Sequence, residues 1–153
     1  MKDVHHTIRV LADQIGLQSL DLGSEGFCEV VFDGTISVNF VAVSDTEMEL
    51  STRLPALDQT AVAAGLMAMM TANYHGHGTG AGRLAADPRD FSILYCERLD
   101  VTGLEAHTLE ARIIQFLKYA AYWTDEGADM VRAAVEGAER ASQPIEELPM
   151  IRL

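Results

Sequence analysis

The stretch Gln59–Gly82, QTAVAAGLMAMMTANYHGHGTGAG, holds no Asp, Glu, Lys or Arg, in a chain of 153 residues whose 23 acidic and 11 basic residues give a formal charge of −12. Its first two thirds predict a helix that is apolar nearly all round, N-capped by Asp58 after the breaker Pro55. Val62, Leu66, Met69 and Met70 line one stripe, while Ala61, Ala64, Met67 and Ala68 occupy the others. An ordinary surface helix buries one stripe of about 100° and leaves the opposite face to charges, so a helix without a polar face must be covered on several sides. In a chain of this length the cover on the far side is expected to be a second copy of the same protein.

On the N-terminal side, Val4, Ile8, Leu11 and Ile15 recur at helical spacing, and Gly16 is placed to end that first helix. Residues Phe27 to Asp33 then alternate, with Cys28, Val30 and Phe32 on one face, before an Asp33–Gly34 pair that favours a tight hairpin. Ile36, Val38, Phe40 and Ala42 continue the inward face on the returning strand. In a third run, Met48, Leu50, Thr52 and Leu54 face one way and Glu47, Glu49, Ser51 and Arg53 the other, completing an antiparallel meander with one solvated face.

Beyond the uncharged helix come the loop His75 to Gly82, a short stretch Arg83 to Ala86, the break at Pro88 and a strand from Phe91 to Leu99. Thr102 and Glu105 stand at capping-box spacing ahead of a further helix whose Leu109, Ile113, Phe116, Ala120 and Trp123 share one face. The expected order is αβββαββα, an α+β single domain in which a twisted antiparallel sheet is packed by helices. Residues 1–126 form this domain. Residues 127–153 read as an extension, helical where Met130, Val131, Ala134, Val135 and Ala138 recur, with Pro144 and Pro149 bracketing a tail.

Composition narrows the function. With 48% apolar residues and a mean hydropathy near zero, the sequence describes a globular protein with a real core. The acidic excess repels phosphate backbones and anionic bilayers, which argues against nucleic acid and membranes as partners. MKDVHHTIRV lacks the unbroken apolar region of a signal peptide, so a cytoplasmic location is expected. The uncharged run is interrupted by Gly65, Thr71 and Asn73 and is too short to span a bilayer. Cys28 and Cys96, far apart within strand-like stretches, read as buried thiols.

The loop YHGHGTGAG raises two enzymatic alternatives. Gly76, Gly78, Gly80 and Gly82 could cradle a phosphate with backbone N–H groups, but such a loop follows a strand and opens a helix, whereas this one does the reverse and carries no Lys. His75 and His77 could begin a metal site with His5, His6 or His107, but no acidic or thiolate partner stands at ligand spacing. A flexible helix-to-strand connection is therefore expected. No Gly-x-Ser-x-Gly elbow is present, and neither cysteine has a sequence-local His. No catalytic residues, metal or cofactors are assigned.

The element order, together with LADQIGLQSLDL, FCEVVFDG, the uncharged helix ending TANYHGHGTGAG, RLAADP and LEARIIQFLKYAAYW, resembles class I type III secretion chaperones of the Tir chaperone family, over roughly Val4 to Trp123. The resemblance implies a nonenzymatic homodimer that binds the N-terminal segment of a secreted effector in extended form and delivers it to the export apparatus, with the secretion ATPase as a further partner. It also implies a dimer interface on the uncharged helix, transferred to Val62, Gly65, Leu66, Met69 and Met70, with Gly65 allowing close approach. Effector contacts are expected at exposed apolar residues of the first helix, Val4, Ile8 and Leu11, and at Val31, Val41 and Val43 on the outward strand face. A dimeric adaptor of the same fold that binds a folded partner is the remaining alternative.

Overall fold

The computed structural model describes residues 1–142. Helix α1 (Val4–Ile15) is followed by strands β1 (Phe27–Phe32), β2 (Ile36–Ala42) and β3 (Glu47–Arg53), a single turn α2 (Pro55–Asp58) and helix α3 (Ala63–Asn73). Strands β4 (Arg83–Ala86) and β5 (Ile93–Asp100) then lead to helices α4 (Ala106–Thr124) and α5 (Glu126–Ser142). The strands form one antiparallel sheet in the order β1-β2-β3-β5-β4, so β1 and β4 are its edges. Pro144 and Pro149, expected to bracket a tail, lie outside the described residues.

Period-2 alternation places the sheet as the sequence predicts. Val30, Val38, Phe40, Met48, Leu50 and Tyr95 point to the inner face, where Leu109, Ile113, Phe116, Ala120 and Trp123 of α4 meet them in one core. The hairpin between β1 and β2 turns through Asp33 (φ 49°) and Gly34 (φ 68°), the two positive angles that a type I′ turn requires. Helix α1 ends at Gly16 (φ 73°), whose N–H reaches back to the last turn. On the inner face, Arg112 of α4 grips the buried Glu97 of β5 through two hydrogen bonds, with Nε at 2.9 Å.

Three local expectations are corrected. Helix α3 begins at Ala63 with Val62 at its cap, not after Asp58. Asp58 makes a longer-range bond, accepting from the Ile93 N–H at 2.9 Å and from Arg53 at 3.1 Å, and so ties the α2 turn to β5. The Thr102–Glu105 capping box is not made: Glu105 caps α4 without a side-chain bond, and the Thr102 N–H donates to Asp100. Finally, the His75 to Gly82 loop is fastened rather than loose. Tyr95 Oη donates to Thr79 O at 2.9 Å, Trp123 Nε1 donates to Gly78 O at 3.0 Å, and the Asn73 amide brackets both backbone groups of Leu84.

The first part of the C-terminal extension is a packed element. Gly127, Ala128 and Val131 of α5 are buried, and the helix lies across α3 and α4. A Cβ on Gly65 would overlap the Thr60 carbonyl and press on Val135, which is why glycine stands where α3 meets the α2–α3 link and α5.

Candidate functional site

Two surfaces collect the residues singled out in the sequence. The first is the outward face of β1 and β2. Val31, Val41 and Val43 are exposed there, Val31 most of all at 58%. Strand register adds Phe27, which lies opposite Val41 and is 47% exposed. The alternation that puts Cys28 inward places Phe27 outward, so the period-2 pattern carries the signal for this residue too. Among the described residues β1 pairs with β2 alone, so its outer row of backbone N–H and C=O groups adjoins this apolar row.

The sheet also opens beside that row. β2 pairs with β3 only from Asn39 to Ala42, so Ile36–Val38 diverges from the end of β3. A cleft of about 710 Å³ lies at the divergence, with Glu29, Ser37, Asn39, Thr52 and Arg53 on its walls and α4 beneath. Farther across the same face the character changes to charge. Glu49 accepts from Arg83 at 2.7 Å and from Arg98 at 3.2 Å, and Arg98 also reaches Glu47 at 3.7 Å. Partial burial pushes the Glu49 carboxyl up, but the hydrogen bonds and charges of Arg83 and Arg98 outweigh it and hold Glu49 below its ordinary range.

The expected residues of helix α1 form no exposed patch. Val4, Ile8 and Leu11 are all buried, Ile8 with only 1% of its surface exposed, and they pack into the core with α4. The physical reason is that helical spacing identifies an apolar stripe without saying what covers it, and here the protein's own core does. The expectation that these three are exposed is therefore corrected; they are core residues.

The second surface is the free side of α3. Val62, Leu66 and Met70 point outward, Met70 at 65% exposure, and are joined by Met67 and Tyr74. Met69 does not belong to it: at 4% exposure it faces the core, one helical step from Met70. Gly65 likewise faces inward, toward Thr60 and α5.

His75 and His77 are exposed and do not converge with other ligands; among the described residues no group of three or more His, Cys, Asp or Glu side chains is placed to hold a metal. Both cysteines are free and buried, and burial pushes each thiol up to about 11. No helix among the described residues is long and apolar enough to cross a membrane.

Compared with known proteins, residues 6–124 match the family model described as the Tir chaperone protein (CesT) family. The chain belongs to that family. The match runs from α1 to the end of α4, so the Tir chaperone fold contains both surfaces, and α5 lies beyond it. Solved structures agree in fold. The ExsC–ExsE complex matches with a TM-score of 0.66 and 20% identity, covering 79% of this chain and 90% of that one. The HopA1–SchA chaperone–effector complex matches at 0.66 and 12% identity, covering 78% and 91%. The Yersinia pestis type III secretion chaperone SycH, in complex with a fragment of YscM2, matches at 0.61 and 18% identity, covering 78% and 98%. No curated protein sequence matches this Tir chaperone family member.

Proposed function

We propose that this chain is a type III secretion chaperone that binds the N-terminal segment of a cognate secreted effector in extended form, keeping it soluble and secretion-competent. The observation that carries the reading is the exposed row Phe27, Val31 and Val41 beside the outer edge of β1, which no strand among the described residues pairs. An extended chain laid there gains main-chain hydrogen bonds from the edge, while its alternate side chains meet the apolar row. The acidic exterior favours basic flanking residues on the bound segment. Membership of a family of chaperones supports the same reading.

The protein works without catalysis, in the bacterial cytoplasm, as a homodimer joined through the outward residues Val62, Leu66 and Met70 of α3, and it hands its cargo to the secretion ATPase. A helix with no charged face, left with Met70 and Tyr74 uncovered, supports the dimer.

Copurification from the native host, followed by titration of the partner's isolated N-terminal segment, tests the function. A stoichiometric secreted partner, bound through that segment by the wild type and at least about tenfold more weakly by Val31→Asp with unchanged Tm, is the expected result. Equal affinity of wild type and Val31→Asp would remove the β1 surface from the account.

A further inference from the structure

Helix α5 lies beyond the residues that match the family, and its packing creates a surface of its own. Its buried face carries Gly127, Ala128 and Val131. Directly beside that face, Met130, Ala134, Gly137 and Ala141 recur at steps of four, three and four, and all are exposed. Asp129, Arg132, Glu136, Glu139 and Arg140 occupy the other side and Glu126 heads the row one turn before Met130, so from Met130 onward α5 presents an uncharged flank. That flank borders α3. Ala68 and Ala72 of α3, Trp123 of α4 and Met130 and Ala134 of α5 enclose an apolar groove of about 410 Å³, with the exposed Met67 and Met70 on the same helix.

We propose that a second copy of this chain seats on α3 and α5 together, the Met67 and Met70 side chains of each copy entering the groove that α3 and α5 enclose on the other. The inference rests on the homodimer reading and adds α5 to the seam. Charge selects the occupant. Each copy carries a formal −12, so two copies meet at least Coulombic cost where neither presents a charge. The uncharged run Gln59–Gly82 and the uncharged flank of α5 provide such a surface side by side. A two-fold axis brings the same patch together from both sides, and the flexible thioethers of Met67 and Met70 can fill an irregular groove.

Disulfide trapping tests this, because the native thiols of Cys28 and Cys96 are buried and held in the unreactive thiol form. Full-length Met67→Cys and Met130→Cys, each with one new thiol, are mixed and oxidised; the expected result is a cross-linked pair on a nonreducing gel, far above that from Met67→Cys mixed with Glu139→Cys on the charged flank. In parallel, Met130→Glu is expected to raise the dimer dissociation constant at least about tenfold by sedimentation velocity, with Tm unchanged. If the Met67→Cys and Met130→Cys mixture gives no more than the Glu139→Cys control, or if Met130→Glu leaves the dimer intact while Leu66→Glu splits it, α5 is not in the seam and the dimer through α3 stands. A wild type that is monomeric at all concentrations overturns the homodimer reading and this inference with it.

Discussion

At the residue scale, single side chains separate structural from functional roles. Glu97 is buried and Arg112 half-exposed, so Arg112→Ala leaves a carboxylate in the core without its partner; the expected loss is about 3 kcal/mol in denaturant unfolding. Replacing both by leucine should restore most of it, since the pair is costly to break but not costly to exchange for packing. Gly65→Ala sets two effects against each other. A gain of about 1 kcal/mol in helix propensity is outweighed by the clash with the Thr60 carbonyl, for which overpacking predicts a loss of about 1–3 kcal/mol. Cys28 and Cys96 should resist alkylation at pH 8 while the chain is folded and react fully in denaturant.

Two surface carboxylates give stability a pH dependence. Hydrogen bonds from Arg89 hold Asp87 down at about 2, and Arg83 and Arg98 hold Glu49 below its ordinary range. Both native pKa values lie below the unfolded ones, so their contribution is present above roughly pH 4 and is lost as pH falls through the native values. Tm should therefore drop between about pH 4 and 2, modestly, because solvent screens exposed pairs; in Arg83→Gln the Glu49 share of that drop should shrink.

At the scale of the element, Ile8→Asp and Val31→Asp form a contrasting pair. Ile8→Asp should unfold the protein because α1 is sealed into the core, whereas Val31→Asp should leave Tm unchanged and act on binding, as thermal melts would show. The strands were legible because alternation is local: Met48, Leu50, Thr52 and Leu54 declare their face by position alone. The role of α1 was not, since a stripe of Val4, Ile8 and Leu11 looks the same whether its cover is an effector or the core. Asp58 misled for a related reason. As an N-cap it would act within four residues, but its partner, the Ile93 N–H, lies 35 positions away and is visible only once the sheet is built.

On the scale of the whole molecule, the sheet carries one apolar outward corner, at β1 and β2, and a charged remainder. The uncharged helix α3 carries a second apolar surface; in the function proposed, the first takes an extended foreign segment and the second a copy of this chain. The methionines mark this division poorly in sequence. Met69 and Met70 are neighbours, yet one closes the core and the other is among the most exposed apolar residues, a difference of one 100° step that no composition reveals. The glycine and histidine loop, conspicuous in the sequence, latches the end of α3 to β5 through the Tyr95 hydrogen bond and to α4 through that of Trp123.

Hydrogen exchange of the intact chain, with and without the N-terminal segment of its copurified partner, tests the central claim most directly. The account predicts new protection in the amides of Phe27–Phe32 on the free edge of β1, with α1 unchanged because it is already buried. Protection confined to α3 and α5, with β1 exchanging as in the free chain, would contradict it.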